Sequence, residues 1–198
     1  MKYKKIDTKL FVKNRKNFVN KLEQKSIAFF NSNDIYPISA DSTLPFDQHR
    51  DIFYLSGIDQ EESILVLFPD SKKNSFKEML FIRETNDHIT HWEGEKLTKE
   101  KAKDISGINN IYWTNEFENI LIQIIKQSNN VYINTNEHYR QNVETQTRED
   151  RFIEKLKKIG GINFKKSNPI LQKQRSIKDE IEIKLIEHAC EITRKGFE

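Results

Sequence analysis

Two histidines and a glutamate fall within the six residues His88-Ile89-Thr90-His91-Trp92-Glu93. Imidazole nitrogen with carboxylate oxygen is a donor set that borderline cations accept. The spacing argues against a metal centre, because β-branched Ile89 and Thr90 predict an extended stretch in which residues 88 and 91 point to opposite faces. Exposed strand or loop histidines are therefore expected, and no metal ligand is assigned. Trp92, on a turn ahead of Gly94, is the better candidate: it can give a small substrate a rigid apolar wall, with local core packing as its competing use. An arginine near Arg148 or Arg151 can hold a peptide carboxylate as a planar fork donor, with a solvated helix face as the alternative; Arg151 is retained as the site residue. Asp51 and Tyr54 form an acid–base pair by type, but no partner base or oxyanion donor accompanies them, so structural hydrogen bonding is expected. Cys190 lies beside an apolar stripe, where a buried, inert thiol is expected. With no HExxH, GxSxG, glycine-rich phosphate loop or Walker-type lysine, no catalytic residue is assigned.

The elements that must position these residues follow from periodicity. Leu10, Phe11, Phe18, Val19 and Leu22 recur at helical intervals over residues 8–24, with Asp7 or Thr8 to cap the first turn. Ser26-Ile27-Ala28-Phe29-Phe30-Asn31 reads as a buried strand. After a turn-rich stretch, residues 52–57, 63–68 and 79–82 read as further strands, punctuated by Gly57 and Pro69. Residues 97–105 and 115–127 read as helices, the second with Asn115 as N-cap. Residues 131–134 form a short strand, and 148–159 a helix ended by Gly160-Gly161. This alternation predicts an α/β fold, a mixed sheet with helices on both faces. From Ile177 onward, Ile181, Leu185, Ala189 and Ile192 stripe a last helix that Ser176 could cap, and that helix reads as the start of a further domain.

Composition limits the partners. In 198 residues, 36% hydrophobic content is enough for a packed core. A net charge of +3 gives no electrostatic case for a nucleic-acid or membrane partner. One local excess stands out: Arg151, Lys155, Lys157, Lys158, Lys165, Lys166, Lys173, Arg175 and Lys178 face only Glu154 over that span. It is read as a solvated helix face and linker rather than a polyanion site, since interleaved stacking aromatics are missing. A single cysteine excludes an intramolecular disulfide and, with no apolar leader or span, agrees with a cytoplasmic protein.

Four segments in order carry a resemblance. They are the opening helix with Phe11, Arg15, Phe18 and Leu22; Ser39-Ala40-Asp41-Ser42 leading through Pro45-Phe46-Asp47-Gln48 to Arg50-Asp51-Ile52-Phe53-Tyr54-Leu55-Ser56-Gly57; His91-Trp92-Glu93-Gly94; and Arg175-Ser176-Ile177-Lys178-Asp179-Glu180-Ile181-Glu182. Together they resemble the N-terminal domain of the aminopeptidase P and prolidase (creatinase/prolidase) family over most of the chain. The resemblance implies a mixed sheet of about six strands flanked by helices, ribonuclease H-like, at residues 1–174. It also implies a linker and the first helix of a pita-bread catalytic domain at 175–198. The implied function is that of a non-catalytic domain of a metal-dependent Xaa-Pro aminopeptidase, acting on proline-containing peptides as a homo-oligomer. Two metal ions, manganese by family habit, would be held by the catalytic domain and no cofactor by this chain. The implied place of Trp92 is near a substrate pocket. The alternative is a pita-bread protein that has lost its peptidase activity and binds other proteins; a dipeptide or creatine substrate is also left open.

Overall fold

The computed structural model describes residues 5–135 and 145–198, apart from the side chains of Asp87 and Trp92. Helix α1 (Thr8–Val19) opens the fold, and the Asp7 side chain accepts from the Lys9 backbone N–H as its cap. Strand β1 (Ser26–Asn31), buried at all six positions, follows. The turn-rich stretch contains an exposed hairpin, β2 (Pro37–Ser39) and β3 (Ser42–Thr43). Next come α2 (Arg50–Ser56), β4 (Ile64–Leu67), β5 (Glu78–Ile82), α3 (Asp87–Glu93), α4 (Lys99–Ser106) and β6 (Ile111–Trp113). The chain continues as α5 (Phe117–Ile125), β7 (Asn130–Ile133), α6 (Arg148–Ile159), β8 (Asn163–Lys166), α7 (Asn168–Ser176) and α8 (Glu180–Phe197).

Six strands form one mixed sheet in the order β6-β5-β4-β1-β7-β8. Strand β4 runs antiparallel to β1 and β5, and the other pairings are parallel. Alternate residues of the central strands serve two cores. Ile27, Phe29, Val66 and Phe81 pack against α5 and α6 on one face. Ala28, Phe30, Leu65 and Leu80 pack against α1, α2, α4 and α7 on the other. Burial on both faces is why these strands read as continuous apolar runs with little alternation.

Four sequence expectations are corrected. Residues 52–57 are not a strand: Ile52, Leu55 and Ser56 are buried at three- and four-residue spacing on α2, and Gly57 takes φ +72° as its C-cap. Residues 88–93 are not extended, because the Asn86 side chain accepts from the Ile89 N–H and starts a helix there. The last helix begins at Glu180, capped by Asp179 and boxed by Glu182, while the Ser176 hydroxyl donates back to the Lys173 carbonyl at the end of α7. Asn115 likewise sits inside a 3-10 turn, Thr114–Glu116, and does not cap α5.

Arg15 is wholly buried. Its Nη1 donates to the carbonyls of Leu55 (2.8 Å) and Ser106 (2.9 Å) in the last turns of α2 and α4, and Nε lies 3.4 Å from Glu78. Both helices end in Ser-Gly-Ile, with the serine hydroxyl donating back four residues and accepting from the isoleucine N–H. A Cβ on Gly57 would meet Phe11 Cε2 at 2.4 Å, in addition to the left-handed backbone. Gly57→Ala is expected to destabilise by about 2–4 kcal/mol in urea unfolding. A loss under about 0.5 kcal/mol would show that Phe11 and the turn yield freely.

Candidate functional site

Strands β1 and β7 are parallel neighbours, but the chain leaves them in opposite directions. From β1 it passes to α2 and on to β4, over the face that holds Ile52 and Leu55. From β7 it passes to α6 and on to β8, over the face that holds Phe152 and Leu156. Diverging connections leave a crevice beyond the carboxyl ends of the two strands, the usual ligand position in open α/β sheets.

A polar network lines this crevice. Asp51 on α2 accepts from Arg175 Nη1 of α7 at 2.6 Å and from Asn134 Nδ2, just past β7, at 3.0 Å. The Asn134 N–H donates to Glu149 Oε1 of α6 at 2.9 Å, and Asn31 Nδ2, at the end of β1, donates to the other Glu149 oxygen at 2.7 Å. Burial pushes the Glu149 carboxyl above its ordinary range, against the pull of the Asn31 hydrogen bond. His49 Nδ1 accepts the Asp51 N–H at 3.3 Å, capping α2, which places the ring proton of the neutral form on Nε2. Five elements thus share one hydrogen-bonded network. Its second arm holds the linker: Gln174 donates to the Asn14 carbonyl and Tyr54 hydroxyl, Arg175 lies over the Tyr54 ring, and Lys13 pairs with Asp179.

Burial also pushes the His49 imidazole below 6.5, with Arg175 and Arg50 acting in the same direction and Asp51 opposing. A base depressed in the folded state contributes stability that is full above its unfolded value and lost as pH falls. His49 should therefore contribute a drop in the urea midpoint on acidification below about pH 6.5, opposed by Glu149, whose raised carboxyl gains stability as pH falls. The drop should be shallower in His49→Asn, whose side chain can still cap α2; identical slopes would remove His49 from the acid response.

The sequence candidates scatter around this network. Arg151 lies on the first turn of α6 and is engaged, donating to Asp34 (2.7 Å) and to the Gln146 carbonyl (3.0 Å). Trp92 belongs to α3, which the bidentate Arg83–Glu93 pair (2.6 and 2.8 Å) fastens to the end of β5; the Trp92 side chain lies outside the described residues. His88 and His91 are exposed three residues apart on that helix, so they share a side of it. Asp51 and Tyr54 make structural hydrogen bonds. Cys190 is exposed on α8, not buried as its neighbours suggested, because it shares the outer face of Ile183 and Ile186 while Leu185, Ala189 and Ile192 line a pocket against Arg50 and Phe53. The basic run is dispersed over α6, β8 and α7, with Lys155 paired to Glu118 and Lys165 to Glu23. Asn134, Glu149 and His49 were missed. Their only sequence signal is position, immediately past a strand or at the start of a helix.

Among the described residues no group of three His, Cys, Asp or Glu could hold a metal ion, and no helix is long and apolar enough to cross a membrane. The profile of the family described as "Aminopeptidase P, N-terminal domain" matches residues 11–132. The Xaa-Pro aminopeptidase of Haemophilus influenzae is 28% identical over 159 residues, which cover 79% of this chain and 34% of that protein. Among solved structures, an aminopeptidase P-like protein of Bacillus anthracis is 26% identical with a TM-score of 0.85, covering 96% of this chain and 45% of the other. Escherichia coli aminopeptidase P, solved with the inhibitor Pro-Leu, shares the fold at 22% identity and a TM-score of 0.77, covering 96% of this chain and 43% of the other. The chain therefore spans about a third of the length of the curated relatives it matches, 34% for the Haemophilus protein.

Proposed function

The chain belongs to the family of aminopeptidase P N-terminal domains, and on that footing we propose that it is the non-catalytic N-terminal domain of a metal-dependent Xaa-Pro aminopeptidase. In this reading residues 1–174 form the domain and 175–198 the linker and first helix of the catalytic domain. The domain narrows access to the active site, so that short proline-containing peptide ends reach it, and contributes contacts between subunits of a cytoplasmic homo-oligomer.

The observation that carries the reading is the way α8 leaves the fold. Its start is fastened by Lys13–Asp179 and, through α7, by Arg175–Asp51. Yet Ile183 and Ile186 are exposed along its outer side. A helix held firmly at one end and apolar on its outer side is suited to be covered by further protein. By resemblance the two metal ions, manganese by family habit, belong to the catalytic domain, and no hydrolytic step is routed through the described residues, among which no group of three His, Cys, Asp or Glu could hold a metal ion.

Trp92 and Arg151 are the proposed substrate contacts, Trp92 as an apolar wall and Arg151 as a carboxylate partner that would exchange Asp34 for substrate. In full-length protein with Mn²⁺, Trp92→Ala should lower kcat/KM for an Xaa-Pro peptide about tenfold, the scale of a buried aromatic contact. An unchanged kcat/KM would remove Trp92 from the substrate path while leaving the domain assignment standing.

A further inference from the structure

The crevice at the β1–β7 switch point contains a cavity of about 460 Å³, and its lining includes Ser32, Tyr36, His49, Asn134, Arg148 and Glu149. Two of these groups are incompletely satisfied. Asn134 is 5% exposed; its Nδ2 and N–H are used, but its Oδ1 is buried with no hydrogen-bond partner among the described residues. A buried acceptor left unpaired is costly, and such an atom calls for a donor. Arg148 donates to Ser32 Oγ at 3.0 Å, and among the described residues it pairs with no carboxylate. Asp34, the nearest acid in sequence across the cavity, is already taken by Arg151. Both oxygens of Glu149 accept hydrogen bonds from Asn31 and Asn134. Among the described residues the cavity therefore offers a guanidinium with no carboxylate hydrogen-bonded to it and one unpartnered acceptor, at the position where open α/β sheets hold ligands.

We propose that this crevice is a binding site for a free α-amino acid, with its carboxylate on the Arg148 guanidinium and its ammonium donating to Asn134 Oδ1. The volume suits a molecule of that size with accompanying water and is too small for a folded partner. A monoanionic carboxylate is favoured over a phosphate dianion, because Asp34 and Glu62 already act on Arg148 and oppose a second negative charge. The site stands apart from the peptidase reading, since none of its groups is a proposed substrate contact.

The test is a ¹H–¹⁵N titration of the 198-residue chain with each common amino acid, with acetate and inorganic phosphate as controls. At least one amino acid should give saturable shifts of the Asn134 side-chain amide and the Arg148 Nε–H. Arg148→Met should weaken that binding about tenfold or more, the loss of one charge-assisted contact. The same charge removed at the far end of the helix, in Lys158→Met, should leave it unchanged. Should Arg148→Met fail to fold by circular dichroism, Arg148→Lys keeps the charge without the fork and should bind more weakly than wild type. Absence of saturable shifts from every amino acid overturns the proposal. So do equal affinities for acetate or phosphate, which would mark a general anion site, and so does undiminished binding by the folded Arg148 variant.

Discussion

Replacing Arg15 with methionine should destabilise the domain by about 3–5 kcal/mol, measured as the shift in urea unfolding free energy. The side chain is wholly buried and its Nη1 serves the terminal carbonyls of two helices, Leu55 of α2 and Ser106 of α4. Methionine keeps much of the volume but no donor, so both carbonyls would remain buried without that partner. Burial alone disfavours the charge, pulling the Arg15 guanidinium below its ordinary value against the attraction of Glu78. The Glu78 contact is long and its partner partly exposed, so the two carbonyl bonds carry most of the effect. Arg15→Lys should recover less than half of the loss, because an ammonium cannot reproduce a planar fork between two fixed acceptors. A loss below about 1 kcal/mol in Arg15→Met would mean that water replaces the guanidinium and that the helix ends are not held from within.

Phe29→Ala should be of similar size, about 3–5 kcal/mol by the same measurement. Phe29 is fully buried on β1, with its ring 5.0 Å from Phe152 of α6 and 6.3 Å from Phe117 of α5, both edge-on. Phe117 in turn meets Phe81 of β5 at 5.0 Å. Truncation removes the ring that joins three elements and leaves a cavity between helices whose backbones are fixed by the sheet. For a domain whose whole stability is of order 5–15 kcal/mol, either change takes a large share. A Phe29→Ala loss under about 1 kcal/mol would indicate that α5 and α6 collapse onto the gap, and that this core is less rigid than its packing implies.

The parts of the fold that were legible in the sequence are those with one dominant signal. Residues 148–159 have an apolar face, a Thr-x-x-Asp box and a glycine stop, and they form α6 over the same residues. Strand β1 needed only its apolar run. The failures share a cause: aromatic and β-branched residues favour strands only weakly, and local caps override them. Residues 52–57 read as a strand because Ile52, Phe53 and Tyr54 are strand formers, yet Ser56-Gly57-Ile58 is a helix ending that recurs at Ser106-Gly107-Ile108. Recognising that repeat would have corrected the assignment. At 88–93, Asn86 as a cap outweighed Ile89 and Thr90. Strands β6 and β8 were missed because Ile111–Trp113 and Asn163–Lys166 lie at the sheet's two edges and are only partly buried or exposed, so no apolar run marks them.

The candidate site was less legible than the fold, for a physical reason. Asp51 was singled out, but its partners Arg175 and Asn134 lie 124 and 83 residues away, and sequence spacing carries no information on such meetings. The arginine chosen, Arg151, is committed to Asp34, whereas Arg148 on the same helical turn lines the crevice.

The central claim is that this chain is the non-catalytic part of a metal-dependent Xaa-Pro aminopeptidase. Its most direct test is to assay an Xaa-Pro peptide with added Mn²⁺, using the full-length protein that contains this domain and the 198-residue chain side by side. The account predicts release of the N-terminal residue by the full-length protein, loss of that activity on chelation, and none from the chain alone. Cleavage by the chain alone would contradict its non-catalytic role; an inactive, folded full-length protein would contradict the peptidase reading and leave a protein-binding role in its place.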